Sequence, residues 1–225
     1  MSRVIWRPSY RLVPSRFPPI QLFERVARPE DLEAVFAFES QTNDRLREEA
    51  GEIHLVARED RICGPGASPI MAAFTHRNPD GSRFSDGSFG VYYAAHALET
   101  AVWETAHHRA RFLRATKQTA TQIDMRCYLA SIDAELTDIR GQQKRRRDLY
   151  DPASYAASRP YGVKLRAQGA GGIVYDSVRH PGGECIAVFK PRLLRRAVQG
   201  AHLCFVWDGE RIARWYEKSE LRKME

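Results

Sequence analysis

Cysteine is scarce in this chain, and nothing in it has the length or polarity of a membrane anchor. Only Cys63, Cys127, Cys185 and Cys204 occur in 225 residues, and no two form a C-x-x-C pair. That spacing excludes a disulfide framework and a cysteine zinc site, leaving buried free thiols as the expectation. No run approaches the roughly 18 consecutive apolar residues of a membrane span. The amino terminus carries Trp6, Pro8 and Arg11 where a signal peptide needs an unbroken apolar stretch, so a soluble, cytoplasmic protein is expected. Internal repeats and low-complexity tracts are also lacking. With 43% hydrophobic and 28% charged residues, the composition is that of a globular protein. We read residues 1–225 as one domain, with 1–21 as an amino-terminal arm.

Several catalytic signatures are missing too. Ser177 lies in Tyr175-Asp176-Ser177-Val178-Arg179, which has neither glycine of a hydrolase nucleophile elbow. Gly169-Ala170-Gly171-Gly172 does not complete a dinucleotide fingerprint, and it precedes a strand where that motif needs a helix. His107 and His108 are adjacent, so they cannot face one metal from a helix; no metal site is expected.

What the chain does have is positive charge, +7 net with a pI near 9.4, which makes anions its natural partners. The densest run, Lys144-Arg145-Arg146-Arg147, sits between turn signals at Gly141 and Asp151-Pro152 with no interleaved aromatics. It reads as a solvated loop, and a nucleic-acid patch is the competing reading.

Along the chain, the arm is expected to end in a short strand over residues 22–27. Pro29 opens a helix that runs toward Gly51. Residues 53–57 and 70–74 read as short strands around the Gly64-Pro65-Gly66 loop. Residues 119–129 read as extended, and Asp151-Pro152 as the start of a broken helix reaching Arg166. Residues 173–175, 184–189 and 202–207 read as strands. Strands outnumber helices without regular β-α-β alternation, so the fold class is α+β with a mostly antiparallel sheet and flanking helices.

The most informative stretch runs from Gly81 to Glu104. Residues 84–90 are rich in Gly, Ser and Asp and read as a turn, while Phe89-Gly90-Val91-Tyr92-Tyr93 reads as a strand. From Ala97 the period becomes helical: Ala97, Leu98, Thr105, His108 and Phe112 fall within about 60° of Ala101, a core-facing stripe. Glu104 lies at the edge of that stripe, whereas Glu99 and Trp103 point away, so Glu104 is the acid placed to look into a cleft. Arg83, Tyr93 and Glu104 thus share one turn, strand and helix. A cation for a diphosphate, an aromatic for a nicotinamide riboside and a carboxylate at the bond that breaks are what a dinucleotide-cleaving cleft requires.

This segment resembles the central motif of the RES family, whose toxins are named for an arginine, a glutamate and a serine. The tyrosine follows Arg83 by ten residues, and the glutamate follows Tyr93 by eleven, preceded by Ala101-Val102-Trp103. The family serine follows a Gly-apolar strand, matched by Gly172-Ile173-Val174-Tyr175-Asp176-Ser177. An upstream strand arginine is matched by Arg25 in Leu22-Phe23-Glu24-Arg25-Val26. Phe84-Ser85 stands where the family commonly has Trp-Asn, and Asp176 where many members have proline. The resemblance, spanning about 22–195, implies an ADP-ribosyltransferase-like split sheet and NAD⁺ as substrate, with no metal. It implies that Glu104 stabilises charge at the anomeric carbon and that Arg83 and Arg25 bind phosphate oxygens. Tyr93 would meet the nicotinamide riboside end, and Ser177 would donate to a ribose or to the amide. A phosphate or water acceptor makes an NAD⁺ phosphorylase or glycohydrolase; a protein acceptor makes a mono-ADP-ribosyltransferase toxin. The resemblance further implies an Xre-type antitoxin as partner. A basic nucleic-acid-binding module is the reading from a different class.

Overall fold

The computed structural model describes residues 1–15, 23–25 and 51–219, apart from the side chain of Arg25. The expected strand end at 26–27 and the helix opened by Pro29 lie outside the described residues. Among those described, Phe23–Arg25 form a 3-10 turn where a strand was expected, with Phe23 buried.

The sheet has seven strands: β1 (Ser2–Pro14), β2 (Tyr92–Ala95), β3 (Thr121–Asp138), β4 (Gly172–Asp176), β5 (Glu184–Val188), β6 (Leu194–Trp207) and β7 (Ile212–Glu217). They lie in the order β1-β2-β5-β4-β3-β6-β7, and β1 pairs with β3 as well. That extra pairing closes β1, β2, β5, β4 and β3 into a circuit, from which β6 and β7 continue along β3. Every pairing is antiparallel except β3 with β4, where Thr137 and Asp138 meet Ile173 and Val174. The fold is therefore α+β with a mostly antiparallel sheet. The stretch read as an arm contains β1, which pairs with β3 from Ser2↔Leu136 to Pro14↔Met125.

The two sheet faces carry separate cores. On one, α1 (Ala67–Thr75) sets Ile70, Met71 and Phe74 against Val4, Trp6, Ile132, Val174, Ile186 and Val188. On the other, α2 (Leu98–Ala115) sets Ala101 and Val102 with Phe84, Ile173, Tyr175, Ala187 and Phe205. Successive residues of β4 and β5 alternate between these cores, which is why both read as unbroken apolar runs.

Residues 70–74, expected as a strand, are helical. Five consecutive apolar residues fit a helix buried all round as well as a strand, and Ser68-Pro69 in the first turn after Gly66 favours the helix. Residues 53–55 form a 3-10 turn, not a strand. The broken helix expected from Asp151 begins instead at α3 (Ser158–Ala167). Asp151 caps only a turn, accepting the N–H groups of Ala153 (2.7 Å) and Ser154 (2.9 Å).

The buried stripe of α2 is rotated toward Val102 from its expected centre at Ala101. Its last turns put Ala110 and Leu113 against Trp207, so Phe112 ends 57% exposed, although it was expected in the core.

Candidate functional site

Arg83 is set by a tight turn. Gly81 has φ +74°, and a Cβ there would lie 2.5 Å from the Ser85 carbonyl oxygen, so only glycine fits. The turn closes through Ser82 N–H to Ser85 O (2.8 Å). Tyr93 holds it from the strand: its hydroxyl accepts the Phe84 N–H (3.0 Å) and shares a hydrogen bond with Ser82 Oγ (2.8 Å). Burial pushes the Tyr93 hydroxyl up to about 12, so at neutral pH it is a neutral hydrogen-bonding group and not a base.

The Arg83 side chain is 6% exposed. Its Nη1 donates to the carbonyls of Leu149 (2.9 Å) and Asp151 (3.1 Å), and its guanidinium lies 4.7 Å from the Tyr155 ring centroid. Arg159 approaches the same ring at 5.7 Å and donates to Asp80 O (2.6 Å). Among the described residues no hydrogen bond uses Nε or Nη2 of Arg83. The fork is anchored through Nη1, which leaves two of its donor nitrogens without a hydrogen bond among the described residues.

Glu104 lies half-buried on α2. Its Oε1 accepts the Ser177 hydroxyl (2.6 Å) and the Val178 N–H (3.2 Å), while Oε2 makes no hydrogen bond among the described residues. Ser177 is 5% exposed, and its Oγ accepts the N–H groups of Arg179 (3.1 Å) and His180 (2.9 Å). Two donors therefore occupy the lone pairs of Ser177, and its proton is committed to Glu104. Arg83 and Glu104 act on the same buried neighbours: the Tyr175 hydroxyl and the Cys185 thiol are held well above their ordinary values mainly by burial, and Glu104 pushes both further up while Arg83 pulls both down.

The structure thus gathers Arg83, Tyr93, Glu104 and Ser177 around Tyr175 and Cys185. The side chain of Arg25 lies outside the described residues. Some neighbours carry no signal in the sequence. His180 Nδ1 meets Thr100 Oγ1 at 2.9 Å, and Trp103 lies parallel to His180 with centroids 6.3 Å apart. His107 is pushed down to about 4, by burial first and then by Arg179, so its imidazole is neutral at physiological pH. These groups come from separated segments, and no short motif could have joined them. A cavity of about 270 Å³ lies elsewhere, lined by Phe74, Phe89, Arg166, Phe189 and Lys190 among others, and none of the four gathered residues lines it.

The RES domain family model matches residues 58–208, two thirds of the sequence. The chain belongs to the RES-domain family. This match begins later than the similarity expected from about residue 22. The uncharacterized protein y4oC of Sinorhizobium fredii (strain NBRC 101917 / NGR234) is 32% identical over 210 residues, covering 92% of this chain and 86% of the relative. A chain in the crystal structure of the M. tuberculosis MbcT-MbcA toxin-antitoxin complex is 13% identical. The alignment covers 88% of this RES-domain chain and 86% of that one, with a TM-score of 0.46, too distant a likeness to bear on the chemistry here. Among the described residues no helix is long and apolar enough to cross a membrane, and no group of three or more His, Cys, Asp or Glu side chains could hold a metal ion.

Proposed function

We propose that this RES-domain chain is a toxin that cleaves NAD⁺ at the nicotinamide–ribose bond and passes ADP-ribose to phosphate or water. The observation that carries the reading is the state of Glu104. One oxygen is fixed by Ser177 and Val178 and the other is unbonded among the described residues, and Arg83, which acts on the same buried neighbours Tyr175 and Cys185, keeps Nε and Nη2 without a hydrogen bond among those residues.

Breaking the bond between the anomeric carbon and the nicotinamide nitrogen sends the bonding electrons to the ring, which leaves neutral. Positive charge develops on the ribose, and an oxygen of the acceptor then bonds to the anomeric carbon, a water acceptor giving up one proton to the surrounding solvent. A carboxylate held in place before the reaction stabilises that charge without reorganising during it. Glu104 takes this part through Oε2, directly or by a hydrogen bond to the ribose hydroxyls. Arg83 offers Nε and Nη2 to diphosphate oxygens. Tyr93 acts through the turn that aims Arg83. Ser177 has its proton engaged by Glu104, so its part is to orient that carboxylate, in place of the direct substrate contact that the resemblance implied. A neutralising partner of Xre type follows from the family resemblance.

The test is to incubate the purified chain with NAD⁺ labelled in the adenosine portion, with and without phosphate and with lysate, and to follow the label. Free ADP-ribose, or its 1″-phosphate when phosphate is present, is the expected product. A labelled protein band with little bulk NAD⁺ loss would select a mono-ADP-ribosyltransferase instead. Salt-dependent nucleic-acid binding with intact NAD⁺ would refute both enzyme readings.

A further inference from the structure

The carboxylate on which that reading rests is held by a turn, and the turn is itself held by the helix that carries the carboxylate. Residues 177–183 form a closed loop in which Ser177 N–H donates to Gly183 O (2.7 Å) and Gly183 N–H donates to His180 O (3.0 Å). Two points fasten it to α2. At Ser177 the hydroxyl donates to Glu104. One turn earlier on the helix, Thr100 Oγ1 meets His180 Nδ1 at 2.9 Å, with Thr100 buried at 1% exposure. Residues four apart lie on one helix face, so both fasteners engage the same side of α2.

The close approach depends on glycine. A Cβ on Gly183 would lie 2.5 Å from Thr100 Oγ1 and 3.1 Å from His180 Nδ1. Trp103, 52% exposed, lies over the imidazole at an interplanar angle of 6° and limits its swing. His180 also contributes the backbone N–H that, with Arg179 N–H, fixes the direction of the Ser177 proton.

We infer that His180 is a positioning residue: by bonding Thr100 under Trp103 it docks the 177–183 turn on α2, and through Ser177 and Val178 it fixes the Glu104 carboxylate. His180 touches neither substrate nor reacting atoms in this role. Its removal leaves Glu104 present but free to rotate, which lowers turnover and leaves the phosphate-binding side of the site intact.

The experiment uses the full chain with His180→Ala, His180→Asn and Thr100→Val, read by NAD⁺ kinetics and by amide hydrogen exchange. His180→Ala should lower kcat by about 10- to 100-fold with KM for NAD⁺ within about twofold. His180→Asn, which retains a short polar group able to meet Thr100, should recover most of the loss, and Thr100→Val should resemble His180→Ala. In His180→Ala the amides of Val178, Arg179, His180 and Gly183 should exchange at least about tenfold faster, with β4 and β5 unchanged. Wild-type kcat in His180→Ala would overturn the inference, as would wild-type protection of those amides. A raised KM at constant kcat would also overturn it, because it would make His180 a substrate contact. The inference rests on the NAD⁺ reading only for its kinetic arm. Absence of NAD⁺ turnover by the wild type would refute that reading, and the exchange pattern would still decide whether His180 docks the turn.

Discussion

Gly162 on α3 offers a test in which ordinary helix propensity and local packing predict opposite signs. Replacing glycine by alanine inside a helix usually stabilises by about 0.5–1 kcal/mol, through a less flexible unfolded chain and better propensity. At Gly162 the new Cβ would lie 2.1 Å from the Phe84 carbonyl oxygen, 2.7 Å from its carbonyl carbon and 2.8 Å from its Cα. All three are backbone atoms, so no side-chain rotation relieves the clash. Restoring ordinary contact near 3.4 Å requires α3 and the 82–85 turn to separate by about 1.3 Å from the 2.1 Å approach. Such overpacking costs about 1–3 kcal/mol, and the rigid backbone on both sides places this case at the upper end, for a net loss of about 2 kcal/mol after the propensity gain. For a chain of this size that is a fall in Tm of about 4–8 °C. Because Arg83 precedes the displaced carbonyl, KM for NAD⁺ should rise as well. Circular-dichroism melts of Gly162→Ala beside Gly141→Ala separate the causes, since Gly141 has φ +70° and open space around its Cβ direction. Gly141→Ala should lose only about 1 kcal/mol to backbone strain. A Gly162→Ala protein as stable as the wild type would refute the reasoning that backbone on both sides leaves this contact no room to relax.

Other substitutions test single groups. Glu104→Gln should keep the fold and lower NAD⁺ turnover by about two to three powers of ten, whereas exposed Glu99→Gln should be nearly silent; equal turnover of the two variants would remove Glu104 from the site. Arg83→Lys keeps the charge but loses the planar fork, so KM for NAD⁺ should rise at least about tenfold while calorimetric Tm falls by less than about 4 °C. Asp138 is held down to about 2 by hydrogen bonds from Arg140, which also bonds Glu184 at 2.8 Å. A depressed carboxyl stabilises the fold above its ordinary range and loses that contribution as pH falls through its folded value. Asp138→Asn should therefore lose about 1–2 kcal/mol at pH 7 in urea unfolding, after allowance for partial solvent screening. The gap from wild type should close between about pH 4 and pH 2, and a constant gap across that range would refute the assignment.

The centre of the chain was legible because chemistry and local structure coincide there. The turn at Arg83, the strand at Tyr93 and the helix at Glu104 each have a short-range signal, and the structure reproduces all three with the strand shifted to Tyr92–Ala95. The strands at 172–176 and 184–188 were legible for the same reason, as compact apolar runs bounded by glycine. Errors fell where pattern alone cannot choose. The run Ile70-Met71-Ala72-Ala73-Phe74 suits a buried strand or a buried helix, and its burial on α1 was decided by packing against β1, β3 and β5. Phe112 was misplaced because the last turns of α2 answer to Trp207, which lies 95 residues away in sequence. The link from Thr100 to His180 spans 80 residues and has no local signature. Asp151 was read as a helix cap from its chemistry, and it is a cap, but of a turn that presents a carbonyl to Arg83.

The closure of the strand circuit by β1 also sets a timetable. Hydrogen bonds between Arg3 and Asp133 join residues 130 apart in sequence, so the first strand made waits until more than half of the chain exists before its main partner is available. At translation rates of about 5–20 residues per second, β1 leaves the ribosome at least about six seconds before β3 is available to it. Arg83 and Tyr93 emerge next, but Glu104 stays unanchored until Ser177 is made and His180 has docked on Thr100. Between the emergence of Glu104 and that of Ser177, 73 residues later, the nascent chain thus carries this carboxylate without its anchor. On the proposed reading, the Glu104 carboxylate is in place only once β4 and β5 close the ring, and a neutralising partner that recognises the finished surface has that interval in which to be present first.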